Sequence, residues 1–197
     1  MKKNLKFFAI LTLLAFITAC QTRVTRVDPS QTVDLSGRWN DTDSQQVAEA
    51  MSQDALNSNW LRDIELNSVN AKKPVVIIGI IANKSHEHID HETFTKDIER
   101  EFIKSSKIRV VQNKTFREKL REERADQQEF ASPETQKKWG RELGADYMMF
   151  GNISSIVDQE GKRKVVFYQV NLELTNIETN ETIWIGDKKI KKYVRSF

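Results

Sequence analysis

A chain of 197 residues, 39% hydrophobic and 30% charged, is long enough for one domain with a real core. Its seven glycines and three prolines exclude a low-complexity stalk, and its single cysteine excludes an intramolecular disulfide. The formal charge of +3 comes from Lys2, Lys3 and Lys6; without the first nineteen residues 28 basic side chains face 28 acidic ones, which gives no support for a nucleic-acid partner.

Those three lysines precede the apolar run FFAILTLLAFI, too short for a spanning helix and flanked as a secretory signal is, so residues 1–19 read as a signal peptide. The run ends in Ile17-Thr18-Ala19-Cys20, which resembles the lipobox of bacterial lipoproteins. That resemblance implies that Cys20 becomes the first mature residue and carries acyl chains, palmitate among them. Each buried methylene then contributes about 0.8 kcal/mol to membrane residence. Gln21 follows, where an Asp would retain a Gram-negative lipoprotein in the inner membrane, so the same resemblance points to the outer membrane.

Residues 20–35 read as the lipidated N-terminus and a linker, since QTRVTRVDPSQTVDL has neither helical nor strand periodicity. Fifteen such residues reach about 50 Å when extended and on the order of 20 Å as a coil. A globular domain is expected over 36–197.

Asp41, Thr42, Asp43 and Ser44 each can cap a first helix, with Val47, Met51 and Ala55 on its apolar face and Trp60-Leu61 closing it. PVVIIGIIAN from Pro74 suits a strand covered on both faces. Asp90 can cap a second helix with Phe94, Ile98 and Phe102 along one side. IRVVQ at 108–112 is a short strand, and FREKLREERADQQ a charged helix with only Phe116 and Leu120 as a stripe. Ser132-Pro133-Glu134 opens a further helix with Gly144 just past its end. Three strands close the chain: ADYMMFGNISSIV, RKVVFYQVNLELT and TIWIGDKKIKKYV, joined by QEGK and NIETNE. In the middle one Val166, Tyr168, Val170, Leu172 and Leu174 share a face, opposite Gln169, Asn171 and Glu173. Helices first, a meander last and a buried early strand predict a single α+β domain with a mixed sheet.

All three histidines, His86, His88 and His91, fall in SHEHIDHE, interleaved with Glu87, Asp90 and Glu92. A zinc site needs imidazoles converging from fixed positions. Here His86 and His88 point one way in an extended segment, His91 starts a helix, Asp90 is spent as a cap, and no distant histidine or cysteine completes a set. The stretch therefore reads as a polar loop joining strand to helix, with no metal and no cofactor; as such a loop, His86 and His88 are candidates to touch a partner. There is no G-x-S-x-G elbow, and a lipidated Cys20 is no nucleophile, so no catalytic residue is assigned. Asp146 in GADY reads as stabilising a turn into its strand. Trp39, between Arg38 and Asn40, is either an exposed interface anchor or a plug closing the core.

Several segments together resemble the penicillin-binding-protein activator family LpoB, outer-membrane lipoproteins of Gram-negative bacteria: DLSGRWNDTDSQQVAEAM (34–51), KPVVIIGIIANKSHEHID (73–90), KIRVV (107–111), ELGADYMMFGNISSI (142–156) and VVFYQVNLELTNIETNETIWIGDKKIKK (165–192). The fold this implies is a mixed, mostly antiparallel sheet flanked by helices, as in the N-terminal domain of TolB and in CsgG-like proteins. The activity implied is regulatory: docking on a class A penicillin-binding protein, a bifunctional peptidoglycan synthase, with no small-molecule substrate and no nucleic acid, so as to couple cell wall biogenesis and cell shape to the outer membrane. The chain departs from the best-known members, which cross the periplasm on a long proline-rich linker. The alternative is a structural lipoprotein subunit of an outer-membrane assembly related to CsgG-like proteins.

Overall fold

The computed structural model describes residues 24–29, 31–67, 72–132 and 141–195. Val33–Phe197 forms one compact unit and Met1–Thr32 another. In the first unit the described residues hold no helix or strand; the signal peptide and Cys20 lie outside the described residues.

In the larger unit the helix α1 (Asp41–Asn57) is capped one residue earlier than expected. Asn40 accepts a hydrogen bond from the Asp43 backbone, and the Asp43 side chain accepts one from the Asn40 N–H, so two otherwise orphaned donors are satisfied reciprocally. Val47, Ala48, Met51 and Ala55 are buried along one side of the helix. The single helix expected through Leu61 is interrupted at Ser58, whose extended backbone ends α1 before α2 (Asn59–Asn67) begins.

Strand β1 (Val75–Lys84) is buried at Val75, Val76, Ile77, Ile78 and Ile81. It is not covered on both faces throughout, because a bulge between Ile78 and Ile81 turns Ile80 outward. Helix α3 (His91–Ser105) follows, capped by Asp90, with Phe94, Ile98 and Phe102 fully buried. The side-chain bond from Thr93, then the backbone N–H groups of Thr93 and Glu92, hold the Asp90 carboxyl below its ordinary value. Strand β2 (Arg109–Val111) is short, and α4 (Lys114–Phe130), capped by Asn113, buries no residue, as its charged sequence and narrow stripe imply. The helix expected from Ser132 falls largely on 133–140, outside the described residues; 141–145 is not helical.

Strands β3 (Tyr147–Glu160), β4 (Arg163–Asn176) and β5 (Thr182–Arg195) form the meander. The β3–β4 strands run on into a turn at Gly161-Lys162, tighter than the QEGK stretch suggests. The sheet order is β2-β1-β3-β4-β5. β1 pairs in parallel with β2 and β3, while the far longer β3–β4 and β4–β5 ladders are antiparallel. This is the mixed α+β sheet that the sequence implies.

One face of the sheet carries Val76, Ile78, Met149, Ile153, Val170, Leu172 and Leu174 into a single core with α1, α2 and α3. Full burial of each such side chain contributes roughly 1.5–3 kcal/mol. The Trp184 indole N–H donates to Asp54 at 3.0 Å and so fastens β5 to α1. Asp146 stitches two strands rather than its own turn: its carboxylate accepts from the Val75 N–H at 2.8 Å, and its own N–H donates to the Val75 carbonyl at 2.8 Å. Among the described residues no helix is long and apolar enough to cross a membrane.

Candidate interaction site

The SGRWN segment is laid on the domain by a glycine. Gly37 has φ +69°, and a methyl group there would stand 2.2 Å from a Val194 methyl, so only glycine allows this approach to β5. The chain then delivers Trp39 edge-on against Phe94 of α3, with ring centroids 6.3 Å apart, and against Tyr168 of β4 at 5.5 Å. Its indole N–H donates to Ser44 Oγ at 2.7 Å and its backbone N–H to Glu87 Oε2 at 3.0 Å. Trp39 is half-buried against the core, so most of its ring is engaged within the domain.

Lys192 buckles the same segment from β5. Its ammonium donates to Asp34 Oδ1 at 2.6 Å and to the Arg38 carbonyl at 3.1 Å, and it lies 2.7 Å from Asp43 Oδ2. Burial by itself pulls this ammonium down, but the bonds to Asp34 and Asp43 and their charges outweigh that and hold it above the ordinary lysine value.

The histidine loop arrives from the other side. Asn83 pins it, donating to the Glu87 carbonyl at 2.8 Å while its side-chain oxygen accepts from the Ser85 N–H and hydroxyl. Glu87 Oε1 accepts from the Tyr168 hydroxyl at 2.8 Å and lies 3.2 Å from His86 Nε2. Burial first, then the bond to Glu87 and that carboxylate's charge, push the Tyr168 phenol well above the ordinary tyrosine value. The His86 ring stacks on Tyr168, and Ser155 Oγ accepts from the His86 N–H at 2.9 Å and lies 2.6 Å from Nδ1.

Arg38, Trp39, Asn40 and His86 are thus brought into one cluster, while the exposed His88 stands outside the contacts that tie it together. Arg38 is exposed and takes part through its carbonyl; Asn40 is engaged as a cap, its amide donating to Asp34 at 2.7 Å. The organisers, Glu87, Tyr168 and Lys192, are not among the candidates for partner contact read from the sequence. Tyr168 carried a signal, because a hydroxyl in an otherwise aliphatic stripe needs a buried partner. The partner is Glu87, between His86 and His88. His91 begins α3, and among the described residues no group of three or more His, Cys, Asp or Glu could hold a metal ion. The arrangement is a rim of polar side chains on a hydrogen-bonded base.

The model of the peptidoglycan-synthase activator LpoB family matches residues 43–190. No curated protein matches the sequence. Among solved structures, the chain is similar to the LpoB C-terminal domain from Salmonella enterica, at 14% identity over 76% of this chain and 99% of that one, with a TM-score of 0.44. The LpoB C-terminal domain from Escherichia coli gives the same 14% identity, the same 76% and 99% coverage and the same TM-score of 0.44. A PelC dodecamer from Paraburkholderia phytofirmans is 17% identical over 64% of this chain and 76% of that one, with a TM-score of 0.34. With about three quarters of its length matched, the chain belongs to the family of peptidoglycan-synthase activators named for LpoB.

Proposed function

We propose that this family member is an outer-membrane lipoprotein, lipidated at Cys20, whose domain over 36–197 binds a class A penicillin-binding protein and raises its synthetic activity without catalysing a reaction itself. The family match over residues 43–190 carries this reading. Arg38, His86 and His88 present the polar rim to the synthase, with Trp39 and Asn40 holding that rim in place. Activation requires that the domain bind the active state of the synthase more tightly than the resting state, a coupling of about 1–3 kcal/mol in systems of this kind. The anchor raises the effective concentration of the domain wherever the linker over 20–35 spans the gap, which its extended reach of about 50 Å limits.

Two experiments separate the parts of this reading. Labelling cells with a radioactive fatty acid is expected to mark the wild-type chain and not the Cys20→Ser variant; label on both removes the anchor. Binding of the purified chain to an immobilised class A synthase is expected to weaken about tenfold or more, or about 1.4 kcal/mol, on Arg38→Glu and on the pair His86→Ala and His88→Ala. Unchanged affinity takes these residues out of the interface.

A further inference from the structure

Strand β1 keeps an open edge beyond its short neighbour. Its parallel ladder with β2 engages only Val75, Val76 and Ile77, and among the described residues no other strand pairs with β1 on that side. From Ile78 onward the backbone groups turned to that edge therefore have no ladder partner among the described residues. The opposite edge of the sheet, β5, carries Lys188, Lys189, Lys191 and Lys192, and lysines on an edge deter pairing with other chains. The open stretch of β1, Gly79-Ile80-Ile81-Ala82, has no charge and no proline. The bulge is itself a guard against pairing along a whole edge, but it does not account for an isoleucine 76% exposed beside a groove.

That groove, of about 660 Å³, is lined by Gly79, Ile80 and Ile81 of β1, by α3, and by Phe116 and Lys119 of α4. Phe116 is 42% exposed on a helix that buries no residue, so its ring serves no core. Most charges along the groove cancel. Lys96 holds Glu99 at 2.6 Å, Arg100 holds Asp97 at 2.5 Å, and Asp90 is spent as the α3 cap. Glu92 and Lys119 have no ion pair among the described residues. The first turn of a helix suits Glu92 without any partner. The Lys119 ammonium, by contrast, stands 5.7 Å from the centre of the Phe116 ring and meets no acid among the described residues.

An open strand edge beside a groove lined by two helices suits one extended chain, whose backbone completes the ladder while its alternate side chains fill the space beside it. The groove also begins where the histidine loop ends, because Asp90, which lines it, follows His88 by two residues. A partner that touches that loop reaches the groove as well. We propose that β1 accepts an extended segment of the synthase as an added strand, with an apolar side chain against Ile80 and Phe116 and a carboxylate at Lys119. The inference rests on the proposed synthase reading for the identity of the segment, while the open edge, the exposed ring and the unpaired ammonium set its chemistry.

The test is amide hydrogen exchange of the mature Cys20→Ser chain, alone and saturated with a purified class A penicillin-binding protein, beside affinity measurements on variants. Exchange between Gly79 and Ala82 is expected to slow about tenfold or more in the complex, a protection that strand pairing gives and contact by side chains alone does not. Ile80→Glu is expected to weaken binding about tenfold or more and Lys119→Glu about fivefold, while Ile185→Glu on the opposite edge strand leaves it unchanged. All three positions are exposed, and thermal melts of the variants should match the parent chain. Binding with unchanged exchange over Gly79 to Ala82, or equal loss in Ile185→Glu, overturns the added strand and leaves the synthase reading standing. No binding by the parent chain overturns that reading and this occupant with it.

Discussion

Glu87 joins the tether side of the domain to the sheet through one carboxylate, so its neighbours should be energetically coupled. Tyr168→Phe removes a part-buried bond to a charged acceptor and is expected to cost about 1.5–3 kcal/mol in chemical denaturation. Combined with Glu87→Gln, which takes the charge from the acceptor, it should cost less than the two single changes added, because both act on the same bond. The phenol of Tyr168 and the ammonium of Lys192 hold their protons more tightly in the folded protein than in the unfolded chain. Their contribution is therefore intact below about pH 10, where the unfolded groups are still protonated, and falls as the pH rises toward their folded values. Thermal melts should show Tm dropping above that pH, and the drop should be shallower in Lys192→Met, whose melting at neutral pH is lower from the start. At Ser52, by contrast, a buried hydroxyl in α1 lacks a partner among the described residues, so Ser52→Ala should leave stability unchanged or raise it by up to about 1 kcal/mol.

Among the elements, α1 depends on its reciprocal cap, and Asn40→Ala should cost about 1 kcal/mol. Helix α4, which buries no residue, behaves oppositely: Leu120→Glu should change stability by no more than about 0.5 kcal/mol. Elements with strong periodicity were legible in the sequence. The alternating residues from Val166 to Leu174 fixed a face of β4, and the four-residue step from Phe94 to Phe102 fixed the core side of α3. Features decided by tertiary contact were not. The bulge that exposes Ile80 lies inside an unbroken β-branched run, and the break at Ser58 follows no glycine or proline. In the same way, the candidate loop and the SGRWN segment were legible as polar or aromatic exceptions, but their meeting was not, because Glu87 and Trp39 lie 48 residues apart in the chain. Only the pairing of β1 with β3, and of β3 with β4, brings Glu87, Ser155 and Tyr168 together.

At the scale of the whole molecule, membership of the peptidoglycan-synthase activator family supports the proposed action by contact. Sizing of the mature Cys20→Ser chain should give a monomer; a discrete oligomer would favour a structural subunit of an outer-membrane assembly. The central claim, that the domain activates a synthase, is tested most directly by the rate of glycan polymerisation by a purified class A penicillin-binding protein as this chain is titrated in. The rate should rise about fivefold or more and saturate, as a coupling of about 1 kcal/mol or above requires. A rate that stays flat while binding reaches saturation would contradict it.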